Sequence, residues 1–336
     1  MKKFQILFTL LGSLFIVSCS DDNENFNDDD QGTDPVQDEL FGEITGELIL
    51  NADTDYTLTG VLSVENNAAL TIPAGTKITA NAGTNIYIVV QKGGKIFVQG
   101  TATNPVRMTS QNANPGDWGG LVILGDAVTT AGINATAEVG QLVYGGTDNS
   151  DNSGSINYLI IEGAGAQINA DSQYNGLSLY AVGSGTTINN IAIVNGADDG
   201  VEFFGGSVSA TNIYLKNNED DAVDWTEGWN GTISNTYVLH SIEGFSTAIE
   251  ADGINNNPLI ENFTAVSTTG GTALQFKIES GATISNLNLE GYDTNIDMAN
   301  DGPLSNVQIN GANASLEMQY EGTPVDISTW NWISGL

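Results

Sequence analysis

The sequence predicts an all-β fold: one chain wound into a parallel β-helix, with coils of about 22 residues and capped ends. Three observations lead there. Glycine is abundant at 40 of 336 residues, while Pro and Met number only 7 and 4. Helix-forming runs of Ala, Leu, Glu and Lys are absent, so the chain has the composition of short strands joined by tight turns. The C-terminal half repeats itself in two registers locked to one period.

The first element is a targeting segment. Met1-Lys2-Lys3 is a short basic start, Ile6 to Val17 is mostly apolar, and Ser18 precedes Cys19. The apolar run is too short to cross a bilayer and lacks a stop-transfer flank, so residues 1–18 read as a secretory signal. Ile16-Val17-Ser18-Cys19 resembles the lipobox of bacterial lipoproteins. That resemblance implies cleavage before Cys19, diacylation of its thiol and acylation of the new amino group. More than one acyl chain gives stable anchoring. Cys19 is the only cysteine, so no disulfide competes for it. Ser20-Asp21-Asp22-Asn23-Glu24 is similar to the acidic export signal of Bacteroidetes-type surface lipoproteins, which implies an outer-membrane lipid anchor with the protein facing the cell surface.

Residues 20–39 hold nine carboxylates and no positive charge, with Gly32 and Pro35 among them. Such a stretch buries too little apolar surface to offset its ordering entropy. A disordered acidic tether is therefore expected over 19–40 and a folded domain over 41–336. The formal net charge of −33 argues against nucleic acid and anionic lipid surfaces as partners held by general electrostatics. It leaves the N-terminal lipid as the membrane contact, and an extracellular glycan or surface protein as the external partner.

The N-terminal half of the domain carries loose strand-and-turn repeats. Leu70-Thr-Ile-Pro-Ala-Gly-Thr-Lys-Ile and the segment from Gly93 to Ser110 each alternate apolar residues and end in Gly turns. The C-terminal half is more regular. Asn157, Asn190, Asn212, Asn235, Asn262, Asn286 and Asn306 each open an alternating run, spaced 33, 22, 23, 27, 24 and 20 residues apart. A second strand follows most of them: Val201-Glu-Phe, Val223-Asp-Trp, Ile249-Glu-Ala, Leu274-Gln-Phe, Ile296-Asp-Met and Leu316-Glu-Met. The unit is too short for a propeller blade and has no helix for an ankyrin-type repeat. It fits one coil of a β-helix, with neighbours stacked at about 4.8 Å and the asparagines of one corner able to bond along the axis as a ladder.

The segment Gly100-Thr-Ala-Thr-Asn-Pro-Val-Arg-Met-Thr-Ser, with Gly116-Asp-Trp-Gly-Gly-Leu-Val-Ile-Leu-Gly after it, resembles surface lipoproteins and adhesin-like proteins of the pectin-lyase-like superfamily. The similarity runs through roughly residues 45–320 in coil pattern and carries no catalytic signature. It implies a single-stranded right-handed β-helix, and fold alone assigns no activity. Open ends of such a helix need covering. Residues 322–336, with Trp330 and Trp332, are the expected C-terminal apolar cap, a sugar-binding aromatic pair being the rival reading.

The candidate chemistry is acidic. The second strand aligns Glu202, Asp224, Glu250, Gln275, Asp297 and Glu317, with apolar flanks inside and this column outside. Asp198-Asp199, Glu219-Asp220-Asp221 and Glu243 come from the turns before it. Stacked like charges repel, so water and salt or bound cations must offset them. Neighbouring carboxylates are ligands Ca²⁺ accepts, and Asp199, Glu202, Asp221, Asp224 and Glu250 are the candidates for it. The resemblance also implies a catalytic alternative with Asp198, Asp199, Glu202, Asp220, Asp221 and Asp224. Ala197-Asp198-Asp199-Gly200 resembles the Asp-Asp step of pectin-lyase-like hydrolases, which work with paired acids. The chain has no His-Gly partner and no Arg-x-Lys motif, and Lys216 and Lys277 are the only bases near the acids. His240 reads as structural, Trp118, Trp225 and Trp229 as packing, and Asn149-x-Asp151-x-Ser153 as a polar loop. The expectation is thus a non-enzymatic surface protein that binds through the lateral face, with a polysaccharide lyase or hydrolase as the alternative.

Overall fold

A computed structural model describes residues 38–170, 172–254, 258–277, 279–299 and 302–336. The expected secretory signal, Cys19 and the expected tether up to residue 37 lie outside the described residues. The folded chain starts earlier than the expected residue 41. Glu39–Ile44 is already a strand, and Leu40 is buried in the core. No helix among the described residues is long and apolar enough to cross a membrane.

Among the described residues, 23 strands share one hydrogen-bonded sheet, parallel except where Val307–Ile309 meets Ala312–Asn313. The chain coils through three faces. On the first, Glu47–Ile49, Ala69–Pro73 and Lys95–Gln99 stack in turn. On the second, Lys77–Ala80 stacks on Val106–Ser110. On the third, Ile88–Val90 pairs with Leu121–Leu124 and then Leu177–Tyr180. From Gly154–Glu162 onward the first two faces fuse into one bent strand, whose halves pair with Lys95–Gln99 and Val106–Ser110. Thr187–Val194, Ser209–Lys216, Thr232–His240, Leu259–Ser267 and Ala282–Glu290 repeat it. Alternation drives the stacking. Ile188, Ile191, Ile193, Ile213 and Phe263 all point into one continuous core.

The bend explains the recurring asparagine. Asn190, Asn212, Asn235, Asn262 and Asn286 each have φ between 53° and 57°, the left-handed region that Asn tolerates better than most residues. Each Nδ2 donates to the Oδ1 one coil back, at 2.8, 2.9, 3.1, 3.0 and 3.0 Å from Asn190 to Asn286. The ladder differs from expectation at both ends. Tyr158 holds the left-handed position beside Asn157. Asn306 lies in the 3₁₀ turn Leu304–Asn306, and Asn310 takes its place, with an Oδ1 that accepts from the Asn286 N–H at 2.9 Å. Replacing Asn235 with Ala should cost about 1–2 kcal/mol through left-handed strain alone, and the lost amide bonds add to that. A lowered urea midpoint at unchanged slope would register it.

The expected cap over 322–336 is instead a strap along the outside. The Gly322 N–H bonds Leu287 O, Thr323 N bonds Asn286 Oδ1, and Val325 N bonds Thr264 Oγ1, each partner nearer the N-terminus than the last. Trp332 ends buried against Ile160, Ala192 and Tyr214 on the outer side of the second face. Those outward apolar side chains are the reason: they need cover, and the strap supplies it. The coil's own end is closed by Ile309, Ala314 and Tyr320, which join the main core.

Candidate functional site

The acidic column forms where alternation meets stacking. Val201 and Phe203 point inward on Val201–Phe204, as Val223 and Trp225 do on Val223–Thr226, so Glu202 and Asp224 point outward from adjacent coils. Glu250, Gln275 and Asp297 continue the row in register. Glu317 does not. Leu316 and Met318 are exposed and no strand forms there, because the coil has already ended. Towards the N-terminus the same column becomes Ser178, Val122 and Val89. Val122 and Val89 lie beneath residues from two insertions, among them Ala137, Val139, Tyr144, Ala166 and Tyr174.

The insertions give the column a wall. Glu138 from the first, and Ser172 and Gln173 from the second, close one side of a cleft of about 570 Å³. Its floor and other side hold Asp198, Asp199, Glu202, Asp220, Asp224, Glu250, Asp252 and Lys277. Two groups of carboxylates converge there, Asp198 with Asp199 and Asp220, and Asp199 with Glu202 and Asp224. Within each group the ligand oxygens lie within 4.8 Å of one another. Asp221 is placed differently: it is buried, it receives a 2.5 Å bond from Thr247 Oγ1, and its own N–H donates to Asp199 Oδ1 at 2.9 Å. Glu250 pairs with Lys277, which also approaches Asp252 at 3.6 Å.

Burial rather than open solvent governs the electrostatics. Asp199 and Glu202 are 6% and 9% exposed. Burial, then Glu202, Asp224 and Asp221, hold the Asp199 carboxyl well above the usual range. Burial also raises Glu202, with Asp224 and Glu138 adding to it and the bond from Asn175 Nδ2 at 2.7 Å opposing. Asp224 is raised by burial and by Asp221 and Glu250. Asp198 is pushed up to about 7, by burial and then Asp220, and Asp221 to about 8, by burial and then Glu250. Burial acts to lower the Lys277 ammonium, yet Glu250 and the acids around it carry it above its ordinary value. It is a held cation and a poor proton acceptor.

Asp224 Oδ1 is enclosed and has no hydrogen-bond partner, an expensive state for a carboxylate oxygen unless something meets it. Hard oxygen donors in a packed group, one of them orphaned, are what calcium accepts. Asp199, Glu202 and Asp224 fit a divalent cation, and Asp198 with Asp220 extends the set. The other candidates fall elsewhere. His240 is buried, with Nδ1 2.9 Å from Tyr292 Oη and its ring stacked on Phe245. Trp118, Trp225 and Trp229 are fully buried. Asp151 accepts from Gly183 N, which ties its loop to the coil.

The comparison with known families completes the picture. Residues 42–328 match the pectate-lyase like beta helix domain. The chain belongs to that family. No curated protein matches it. Within the pectate-lyase-like β-helix family the match covers every coil described above, from Gly42 on, and the strap only as far as Ser328, short of Trp330 and Trp332. The acidic cleft therefore sits on the lateral face of a family fold. Sequence reasoning missed Glu138, Gln173 and Asn175, which come from insertions and follow no period.

Proposed function

We propose that the protein is a non-enzymatic, lipid-anchored surface β-helix that binds an extracellular polysaccharide through its acidic cleft, with Ca²⁺ held by Asp199, Glu202 and Asp224. The observation that carries this reading is the convergence of those three carboxylates around an unpartnered Asp224 Oδ1. A cation there takes the place of the protons that burial otherwise keeps on these carboxyls, and its remaining coordination positions accept hydroxyl or carboxylate oxygens of a ligand at the cleft mouth. The lipobox-like Ile16-Val17-Ser18-Cys19 and the acidic residues after it support anchoring through Cys19 at the outer membrane.

Polysaccharide cleavage is the second reading. It is favoured by Asp198, a carboxyl pushed up to about 7 and so suited to general acid work. Against a lyase, Lys277 is engaged by Glu250 and holds its proton. Within either group an inverting pair is disfavoured, because the nearest carboxylate oxygens lie within 4.8 Å, closer than the roughly 6.5–9.5 Å that leaves room for a water.

A glycan array of acidic and neutral polysaccharides, probed with Ca²⁺ and with chelator, tests the proposal. Calcium-dependent binding lost in Glu202→Gln/Asp224→Asn is expected. No binding in either condition, or binding that survives the double substitution, removes it. Cleavage products that vanish in Asp198→Asn would replace it with the enzymatic reading.

A further inference from the structure

We propose a second binding site, independent of the cleft: the corner that carries the asparagine ladder takes a neutral linear oligosaccharide in the groove beneath the C-terminal strap. The groove encloses about 340 Å³ and is lined by Asn212, Asn235, Asn262 and Asn286 on the coil side, with Trp330 and Asp326 among the strap residues opposite.

A side-chain amide offers two N–H donors and two acceptor lone pairs. In Asn212, Asn235 and Asn262 the ladder uses one N–H and one lone pair each. Asn286 is different. Its Nδ2 donates to both Asn262 Oδ1 and Thr323 O, and its Oδ1 accepts from Thr323 N, so both of its N–H donors are taken. Among the described residues, three successive coils therefore each leave one N–H and one lone pair outside the ladder, repeated at about 4.8 Å. Adjacent sugar hydroxyls, each a donor and an acceptor, match that pattern.

The array is fixed before any ligand arrives. Backbone φ values of 57°, 53° and 54° set the three corners, and the ladder bonds set the amide planes. Side chains ordered in advance lose less freedom on binding. Trp330 supplies the apolar surface that a sugar ring covers. It stacks on Trp332 at 5.8 Å and 25°, and Trp332 is anchored in the cluster with Ile160, Ala192 and Tyr214. Charge selects the ligand class. Asp326 is the one charged residue in the lining, so the groove has no cation for an anionic polymer, and the net charge of −33 repels one. The ladder corner joins the first and second faces, whereas the cleft lies on the third, and the groove lining contains no carboxylate cluster that would require a metal.

The test is titration of the folded protein, in chelator, with cellohexaose, xylohexaose and mannohexaose, followed by calorimetry and tryptophan fluorescence. Saturable binding of at least one of them with a fluorescence change is expected. Trp330→Ala and Asn235→Gly, the latter keeping the left-handed corner, should each weaken it about tenfold or more. Trp330→Phe should retain most of it, which separates loss of the platform from loosening of the strap. Glu202→Gln/Asp224→Asn should leave it unchanged. Absence of binding to all three sugars, binding indifferent to Trp330→Ala and Asn235→Gly, or binding abolished by the cleft double substitution would each overturn the proposal.

Discussion

Without a divalent cation, the protein is expected to lose stability as the pH rises from about 5 to about 8, and Ca²⁺ is expected to restore it at the upper end. Asp198, Asp199, Glu202, Asp221 and Asp224 are all raised in the folded state, first of all by burial. Between the ordinary carboxylate range and these raised values, the folded protein still holds protons that the unfolded chain has released. Stability then falls with rising pH, because the native state binds the more protons. The window runs up through about 7 for Asp198 and about 8 for Asp221, and the other three are raised in the same direction. These acids share one site, so the fall belongs to the group and not to single residues. A cation that binds only the folded, ionised cleft opposes it. At a hundredfold excess over its dissociation constant the gain is about 2.7 kcal/mol, roughly 5 °C in Tm for a chain of this size. Glu202→Gln/Asp224→Asn should make the pH profile shallower and abolish the calcium shift. Melting curves at both pH values, with calcium and with chelator, check this. A Tm indifferent to pH and to calcium alike would mean that the cleft is an ordinary wetted surface.

Much of the coil was legible because its geometry constrains residue type at two points in each turn. Inward positions must be apolar, which wrote Val201, Val223, Ile249, Leu274 and Ile296 into one register. The corner must be left-handed, which wrote Asn190 through Asn286 into another. The errors lie where those constraints lapse. Tyr158 shows that the corner tolerates a residue other than Asn when the neighbouring Asn157 can still close the ladder. Asn306 and Asn310 are alike as residues, and only the 3₁₀ turn before Val307–Ile309 selects the second. Leu316-Glu317-Met318 has the alternation of a strand, but alternation does not say whether another coil exists for it to stack on.

The acidic column was legible from the same alternation, and its environment was not. Outward on a β-helix implies solvent unless something covers the face. What covers this one, residues such as Glu138 and Gln173, comes from aperiodic insertions. The column's burial, and with it the raised carboxyls and the orphaned Asp224 Oδ1, depends on that tertiary placement. The strap is hidden from the sequence for a similar reason. Trp330 and Trp332 announce an apolar contact, but the outward Ile160, Ala192 and Tyr214 that receive Trp332 lie far back in the chain.

Trp229→Ala is the core substitution expected to cost most, about 3–5 kcal/mol, on the order of 10 °C in Tm. Trp229 is fully buried, stacks on Phe203 at 4.2 Å and 19°, lies 5.8 Å from Trp225, and donates Nε1 to Val208 O at 2.9 Å. Truncation leaves a cavity in a close-packed layer and a buried carbonyl without its donor. Trp229→Phe keeps a ring in the stack and loses the hydrogen bond, so it should cost less, though the orphaned carbonyl still contributes about 1–3 kcal/mol. The effect reaches the cleft, because Phe203 and Trp225 are the inward neighbours of Glu202 and Asp224 on the same strands. This aromatic layer is the apolar floor beneath the carboxylates. If the floor loosens and admits water, the desolvation that raises Glu202 and Asp224 weakens. Trp229→Ala should therefore show a shallower fall in stability from about pH 5 to about pH 8 as well as a lower midpoint at each. Urea unfolding of both variants at the two pH values separates the two effects. A Trp229→Ala protein within about 1 kcal/mol of wild type would contradict the packing argument. One that is destabilised yet keeps the full pH dependence would show that the walls of the cleft, and not its floor, hold the acids protonated.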